Sequence, residues 1–176
     1  MPQISRRNFL KRSAACASVA SVAGLGIGRV AHAAGSDTIT IGMIGCGNRC
    51  TGAADQALKT GLDVKLVAMC DVFDERLQAA RKNLIKRYPE QVAVDDDHCF
   101  VGFDGYQKVI DSGVDVVLLA STPHFRPKHL RAAVKAGKHV FAEKPVAVDA
   151  PGVRSVLEST ELARQKGLCL VSGLCW

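Results

Sequence analysis

No stretch of this 176-residue chain offers the roughly 20 strongly apolar residues that a membrane span requires. The nearest candidate, residues 14–27, is short and built mainly of Ala, Ser and Gly. No stable span is therefore expected, with an uncleaved N-terminal anchor as the alternative. Acidic residues are missing from the first 33 positions, which hold Arg6, Arg7, Lys11, Arg12 and Arg29. Those five account for most of the net charge of +6. The remainder is close to neutral, so nothing electrostatic points to nucleic acid. Cys46 and Cys50, spaced C-x3-C, have no second pair at zinc-finger spacing, so no metal site is expected. Internal repeats are also lacking. The length and a hydrophobic content of 48% suit one globular domain or little more.

The N-terminal stretch reads "SRRNFLKRSAACASVASVAGLGIGRVAHAAG". Arg6–Arg7 followed by Phe9, Leu10 and Lys11 matches the twin-arginine export pattern. "AHA" at 31–33 fits a small-x-small site, with cleavage after Ala33. The expected organisation is a signal peptide over 1–33, a linker over 34–37 and a dinucleotide-binding domain over 38–176. The implied partner is the twin-arginine translocase, and the implied location is periplasmic or otherwise exported. Seven cysteines in an exported chain invite disulfides. That route carries proteins already folded in a reducing compartment, however, and Cys70 and Cys169 lie in apolar runs. Buried free thiols are expected instead.

From residue 38 strand-like and helix-like segments alternate. Apolar or β-branched runs at 38–44, 64–70, 99–102, 115–120, 139–142 and 168–173 predict six strands. Helices are predicted over 51–60, 74–88, 104–113, 126–137 and 149–167, with Asp74 and Asp149 as caps. Leu77, Ala80, Leu84, Ile85 and Tyr88 form the expected inward stripe of the second helix, and Val153, Val156, Leu157 and Thr160 that of the last. The acidic stretch 92–98 reads as a solvated loop. This alternation predicts an α/β fold: a six-stranded, doubly wound parallel sheet of the Rossmann type.

"GCGNRC" (45–50) follows the first strand and precedes a helix. A dinucleotide loop needs a tight turn at Gly45, close backbone approach to phosphate at Gly47, and a small residue at the third position, here Cys50. Gly47 and Gly52 also fit the start of a G-x4-G phosphate loop. The Lys and Ser/Thr that must follow are replaced by Ala53 and Ala54, which disfavours nucleotide hydrolysis. Asp71 closes the second strand, where an acid bonds the adenosine ribose and repels a 2′-phosphate. NAD is thereby favoured, with Arg76 leaving NADP open. "STPHFRPKH" (121–129) follows the fourth strand and brings His124 and His129 near the carboxyl edge of the sheet, His129 also reading as a helix-surface residue. "AEKP" (142–145) follows the fifth strand, where Lys144 could move a proton beside a nicotinamide.

Together, "IGMIGCGNR", "CD" at the second strand end and "TPHFRPKHLRAAVKAGKHVFAEKPVA" resemble the Gfo/Idh/MocA oxidoreductases over residues 38–176. The resemblance implies that Gly45, Gly47, Asn48 and Arg49 bind pyrophosphate and Asp71 the ribose. It implies that Thr122, Pro123 and His124 line the cofactor toward its nicotinamide half. Glu143 and Lys144 would sit at the nicotinamide ribose and substrate hydroxyl, with Lys144 catalytic and Pro145 following a cis bond. The implied reaction is hydride transfer between NAD(P) and a sugar-like or polyol substrate, in a full-length protein that forms homo-oligomers. Two departures stand out: Cys50 replaces the third glycine, and the substrate domain is expected to be missing from a truncated chain. The alternatives are an NAD-dependent glycoside hydrolase of the same family and a catalytically incomplete nucleotide-binding fragment.

Overall fold

The computed structural model describes residues 38–174. The signal peptide and linker expected over 1–37, with Cys16, and Cys175 lie outside the described residues. Six strands form one sheet: β1 (Ile39–Ile44), β2 (Val64–Asp71), β3 (Cys99–Val101), β4 (Val116–Leu119), β5 (His139–Glu143) and β6 (Leu170–Gly173). Their order is β3-β2-β1-β4-β5-β6, and every pairing is parallel. This is the doubly wound Rossmann arrangement expected from the sequence. Strand order reverses between β1 and β4, so their carboxyl ends open the crevice where such folds bind ligands.

Five helices cover the sheet: α1 (Asn48–Leu58), α2 (Asp74–Arg87), α3 (Gly105–Asp111), α4 (Arg126–Lys135) and α5 (Ala150–Gln165). The sheet separates two hydrophobic cores. One packs Cys50, Ala54 and Leu58 of α1 and Leu77 and Leu84 of α2 against Met43 and Leu66. The other packs Val109, Leu130, Val134 and Val156 against Ile44, Val117 and Leu119. Strands covered on both faces read as continuous apolar runs, which made them conspicuous in sequence.

Several details differ from expectation. Helix α1 begins at Asn48, three residues before the predicted start, because Gly47 is already its extended N-cap. Asp74 is the first residue of α2 and not its cap; its carboxylate accepts a bond from Gln78 Nε2 at 3.1 Å. Ile85 at the edge of the predicted α2 stripe is exposed. Asp149 does cap α5, accepting the Gly152 N–H at 2.7 Å. That helix turns a different face inward, burying Val156, Ser159 and Ala163 while Val153, Leu157 and Thr160 are exposed. Small side chains at the contact let α5 lie close to α4, whose Ala133 is fully buried. The acidic stretch carries a 3-10 turn, Asp96–His98, capped by Asp95. No described helix is long and apolar enough to cross a membrane.

Candidate functional site

The turn out of β1 is dictated by contact as much as by conformation. Gly45 has φ +93°, and a Cβ there would lie 3.0 Å from the Ser121 backbone nitrogen. The loop leaving β1 thus lies directly against the loop leaving β4. Gly47 is different. Its φ of −72° is open to any residue, and no heavy atom lies within 4 Å of where its Cβ would be. What glycine provides at 47 is empty space beside the backbone. The first-turn N–H groups of α1 have no intrahelical acceptors and carry the positive end of the helix dipole. They adjoin a cleft of about 570 Å³ lined by Gly47, Asn48 and Arg49 and, across from them, Arg76 and Asn83 of α2. A nucleotide pyrophosphate fits such a loop, because its oxygens can approach backbone donors that no side chain shields.

Cys50 is a packed core residue of α1. It is fully buried, its thiol donates to the Leu118 carbonyl at 3.4 Å, and it belongs to the core beneath α1. Burial pushes the Cys46 and Cys50 thiols far above their ordinary range and Cys70 up to about 12. These are protonated packing groups and poor nucleophiles. The five described cysteines are free. Cys169 departs from expectation: it precedes β6 and is exposed, its backbone N–H bonded to His139 Nδ1 at 2.9 Å.

Asp71 ends β2 beside the glycine loop. Its Oδ2 accepts the Cys46 N–H at 2.6 Å and its Oδ1 the Phe73 N–H at 3.0 Å. The carboxylate therefore braces the loop, a role the sequence did not suggest. Each oxygen retains a lone pair for a hydroxyl donor. Arg76 lines the cleft beside the glycine loop, with its guanidinium carbon 4.9 Å from the Phe73 ring centroid.

On the other side of the crevice, the Thr122 carbonyl accepts the Phe125 and Arg126 N–H groups at 3.0 and 3.2 Å, winding the Thr122–Pro123–His124 loop into α4. His124 is exposed and stands edge-on to Phe125. His129 is neither at the loop edge nor on the helix surface. It is buried, 4.2 Å from the Tyr106 ring in a stacked pair and 3.1 Å from Ser121 Oγ. Burial lowers its pKa to about 4, leaving a neutral packing residue.

Glu143 ends β5 with its side chain only 3% exposed. Arg49 of α1 pairs with its Oε1, and Oε2 accepts the Lys144 N–H at 3.2 Å. A Cβ on Gly173 of β6 would meet Oε1 at 2.7 Å, so the carboxylate is walled in on that side. Lys144 is exposed at the mouth of the crevice, and the Lys144–Pro145 bond is cis. The fold thus gathers Gly45, Gly47, Asn48, Arg49 and Asp71 at one end of the crevice and Thr122, Pro123, His124, Glu143 and Lys144 at the other. Arg126, buried between the last two loops, carried no sequence signal, since a lone arginine opening a helix normally reads as a surface residue.

The sequence profile of the oxidoreductase family with an NAD-binding Rossmann fold matches residues 39–174. The chain is 32% identical over 123 residues to a myo-inositol 2-dehydrogenase of Thermotoga maritima, covering 70% of this chain and 33% of that protein. It is 29% identical over 178 residues to a glycosyl hydrolase family 109 protein of Solibacter usitatus, covering 92% of this chain and 36% of that one. The crystal structure of scyllo-inositol dehydrogenase from Lactobacillus casei with bound NAD(H) and scyllo-inositol shares the fold. Its TM-score is 0.57 at 24% identity, over 77% of this chain and 36% of that chain. The chain spans about a third of the length of the curated relatives it matches.

Proposed function

The chain belongs to the Gfo/Idh/MocA oxidoreductase family, and from that premise we propose that it is the cofactor-binding part of an NAD-dependent dehydrogenase of polyols or related sugars. The observation that carries this reading is the open side of Gly47. The position tolerates a side chain by conformation and by space within the protein, and what glycine leaves clear is the approach to the cleft at the N-terminus of α1.

When bound, the nicotinamide supplies hydride exchange at its C4. The chain's own residues do the rest. The backbone from Gly45 to Arg49 holds the pyrophosphate, and Asp71 offers its remaining lone pairs to the adenosine ribose. Its negative charge favours NAD over NADP, while Arg76, which lines the cleft beside the glycine loop, keeps that preference moderate. Thr122, Pro123 and His124 line the nicotinamide end, where Glu143 holds the β5 loop in register. Lys144, exposed beyond it, moves the proton of the substrate hydroxyl.

The Arg6–Arg7 pattern supports a further part of the proposal, export of the folded protein by the twin-arginine route. The whole protein is proposed to act as a homo-oligomer. An NAD-dependent glycoside hydrolase is the second reading. It is favoured by the family 109 relative, whose match covers 92% of this chain and so reaches beyond the described residues.

Calorimetric titration of the full chain with NAD⁺ and NADP⁺ tests the cofactor reading. NAD⁺ is expected to bind more tightly, and Asp71→Ala to weaken NAD⁺ and narrow the preference. Unchanged NAD⁺ affinity in that variant would remove the ribose assignment, and a wild-type chain that binds neither nucleotide would remove the whole reading. In the whole protein, lasting accumulation of reduced nicotinamide with a polyol supports the dehydrogenase. Release of free sugar without it supports the hydrolase.

A further inference from the structure

Arg126 is the first residue of α4 and only 4% exposed. Its Nη1 donates to the Pro145 carbonyl and its Nη2 to the Ser121 carbonyl. Its Nε is buried with no hydrogen-bond partner, and no ion pair to it occurs among the described residues. A guanidinium in this position loses hydration, and the Glu143 carboxylate favours its charge only from beyond ion-pair distance, so an apolar side chain of similar volume would cost the core less. What an apolar side chain cannot supply is a rigid planar fork that holds two separate main-chain oxygens at once.

Those two oxygens belong to the two loops of the nicotinamide end. Ser121 leads directly into Thr122–Pro123–His124, and its backbone nitrogen is also the atom against which Gly45 is packed. Pro145 directly follows Lys144 across the cis bond. We propose that Arg126 is a positioning residue whose buried fork joins the Ser121 and Pro145 carbonyls and thereby sets where Lys144 stands relative to the Thr122–His124 loop. This rests on the cofactor reading above but assigns a function to a side chain outside it. No contact of Arg126 reaches the glycine loop's backbone donors or Asp71. Its influence therefore falls on the nicotinamide half of a dinucleotide and spares the adenosine and pyrophosphate half.

That asymmetry makes the proposal testable on the full chain, with NADH and ADP as probes for the whole dinucleotide and for its adenosine end. Arg126→Met removes the fork, and Arg126→Lys keeps the charge while losing the planar pair of donors. Both variants are expected to lose about tenfold in NADH affinity and the enhanced nicotinamide fluorescence of the bound state, with ADP affinity within about twofold of wild type. Arg126→Lys is the variant that keeps the test alive if Arg126→Met does not fold. A parallel loss of ADP and NADH affinity would make Arg126 a general structural residue and overturn the proposal. So would full NADH affinity in either variant, or complete rescue by lysine, which would reduce its part to charge. A wild-type chain that binds ADP and NADH, with variants that bind both as wild type does, defeats this proposal alone. A wild-type chain that binds neither defeats the cofactor reading and this proposal together.

Discussion

Arg49, in the first turn of α1, pairs with the buried carboxylate of Glu143, 94 residues later at the end of β5. The contact spans the crevice and links the glycine loop to the Glu-Lys-Pro loop. Its two members are unequally placed, the arginine side chain 62% exposed and the glutamate 3%. Water screens the arginine, so the pair itself contributes modestly. Losing the arginine, however, leaves a buried carboxylate with one hydrogen bond, from the Lys144 N–H, and a longer-range attraction to Arg126. Arg49→Ala is expected to cost about 1–2 kcal/mol. Most of that should return in the double variant Arg49→Ala/Glu143→Gln, because a neutral amide no longer needs the cation. Chemical denaturation of the two single variants and the double variant measures the coupling; simple additivity would show that the two side chains do not depend on each other.

The two loop glycines separate stability from binding. Gly45→Ala places a Cβ at φ +93° and 3.0 Å from the Ser121 nitrogen, and should lower stability by about 2 kcal/mol or more. Gly47→Ala meets nothing within 4 Å and should leave the melting temperature nearly unchanged while sharply weakening NAD⁺ binding. Paired thermal melts and titrations check both, and a Gly47→Ala protein with wild-type affinity would show that phosphate does not approach that backbone.

Replacing Cys50 by glycine should not improve the site. The sulfur is already packed against β4, so Cys50→Gly opens a small void and places a glycine inside a helix. A loss of about 1–2 kcal/mol is expected, read by urea titration, with no gain in NAD⁺ affinity. The same packing predicts alkylation order among the described cysteines. Exposed Cys169 should react first and Cys46 and Cys50 only on unfolding, as mass spectrometry of iodoacetamide-treated protein would record.

His129 should make the fold sensitive to mild acid. Burial depresses its pKa from 6.5 to about 4, so the unfolded chain binds this proton more readily than the native one. Stability is then full above about pH 6.5 and declines as pH falls toward 4, by roughly 3 kcal/mol in total. The nearby Lys128 acts in the same direction. Urea titrations between pH 7 and 4 should show this decline in wild type and lose it in His129→Gln; an unchanged slope in the variant would place the sensitivity elsewhere.

Much of this was legible in the one-dimensional chain. The inner strands β1, β2, β4 and β5 are largely buried on both faces, and that constraint appears directly as apolar runs with helices between them, whereas the edge strands β3 and β6 are partly exposed. The spacing of Gly45, Gly47 and Asp71 and the order of the Thr-Pro and Glu-Lys-Pro loops are local features, and the parallel sheet delivers all of them to one edge. Asp149 was legible as a cap because its acceptor role depends only on residues three positions away. The inward face of α5 was not legible, since apolar Val153 and Leu157 outcompete Ser159 and Ala163 in any periodic reading. The choice between them depends on how closely α4 approaches.

The amino-acid sequence by itself determined the fold class and which loops reach the carboxyl edge of the sheet, because hydrophobic periodicity and right-handed parallel crossovers leave few other topologies. Only the tertiary structure decided which side chains face one another across that crevice. The pairing of Arg49 with Glu143, the bracing of Cys46 by Asp71, the burial of His129 and the fork of Arg126 all join residues from different strand ends. Their partners and degree of desolvation are set by packing in three dimensions, which no pattern along the chain encodes.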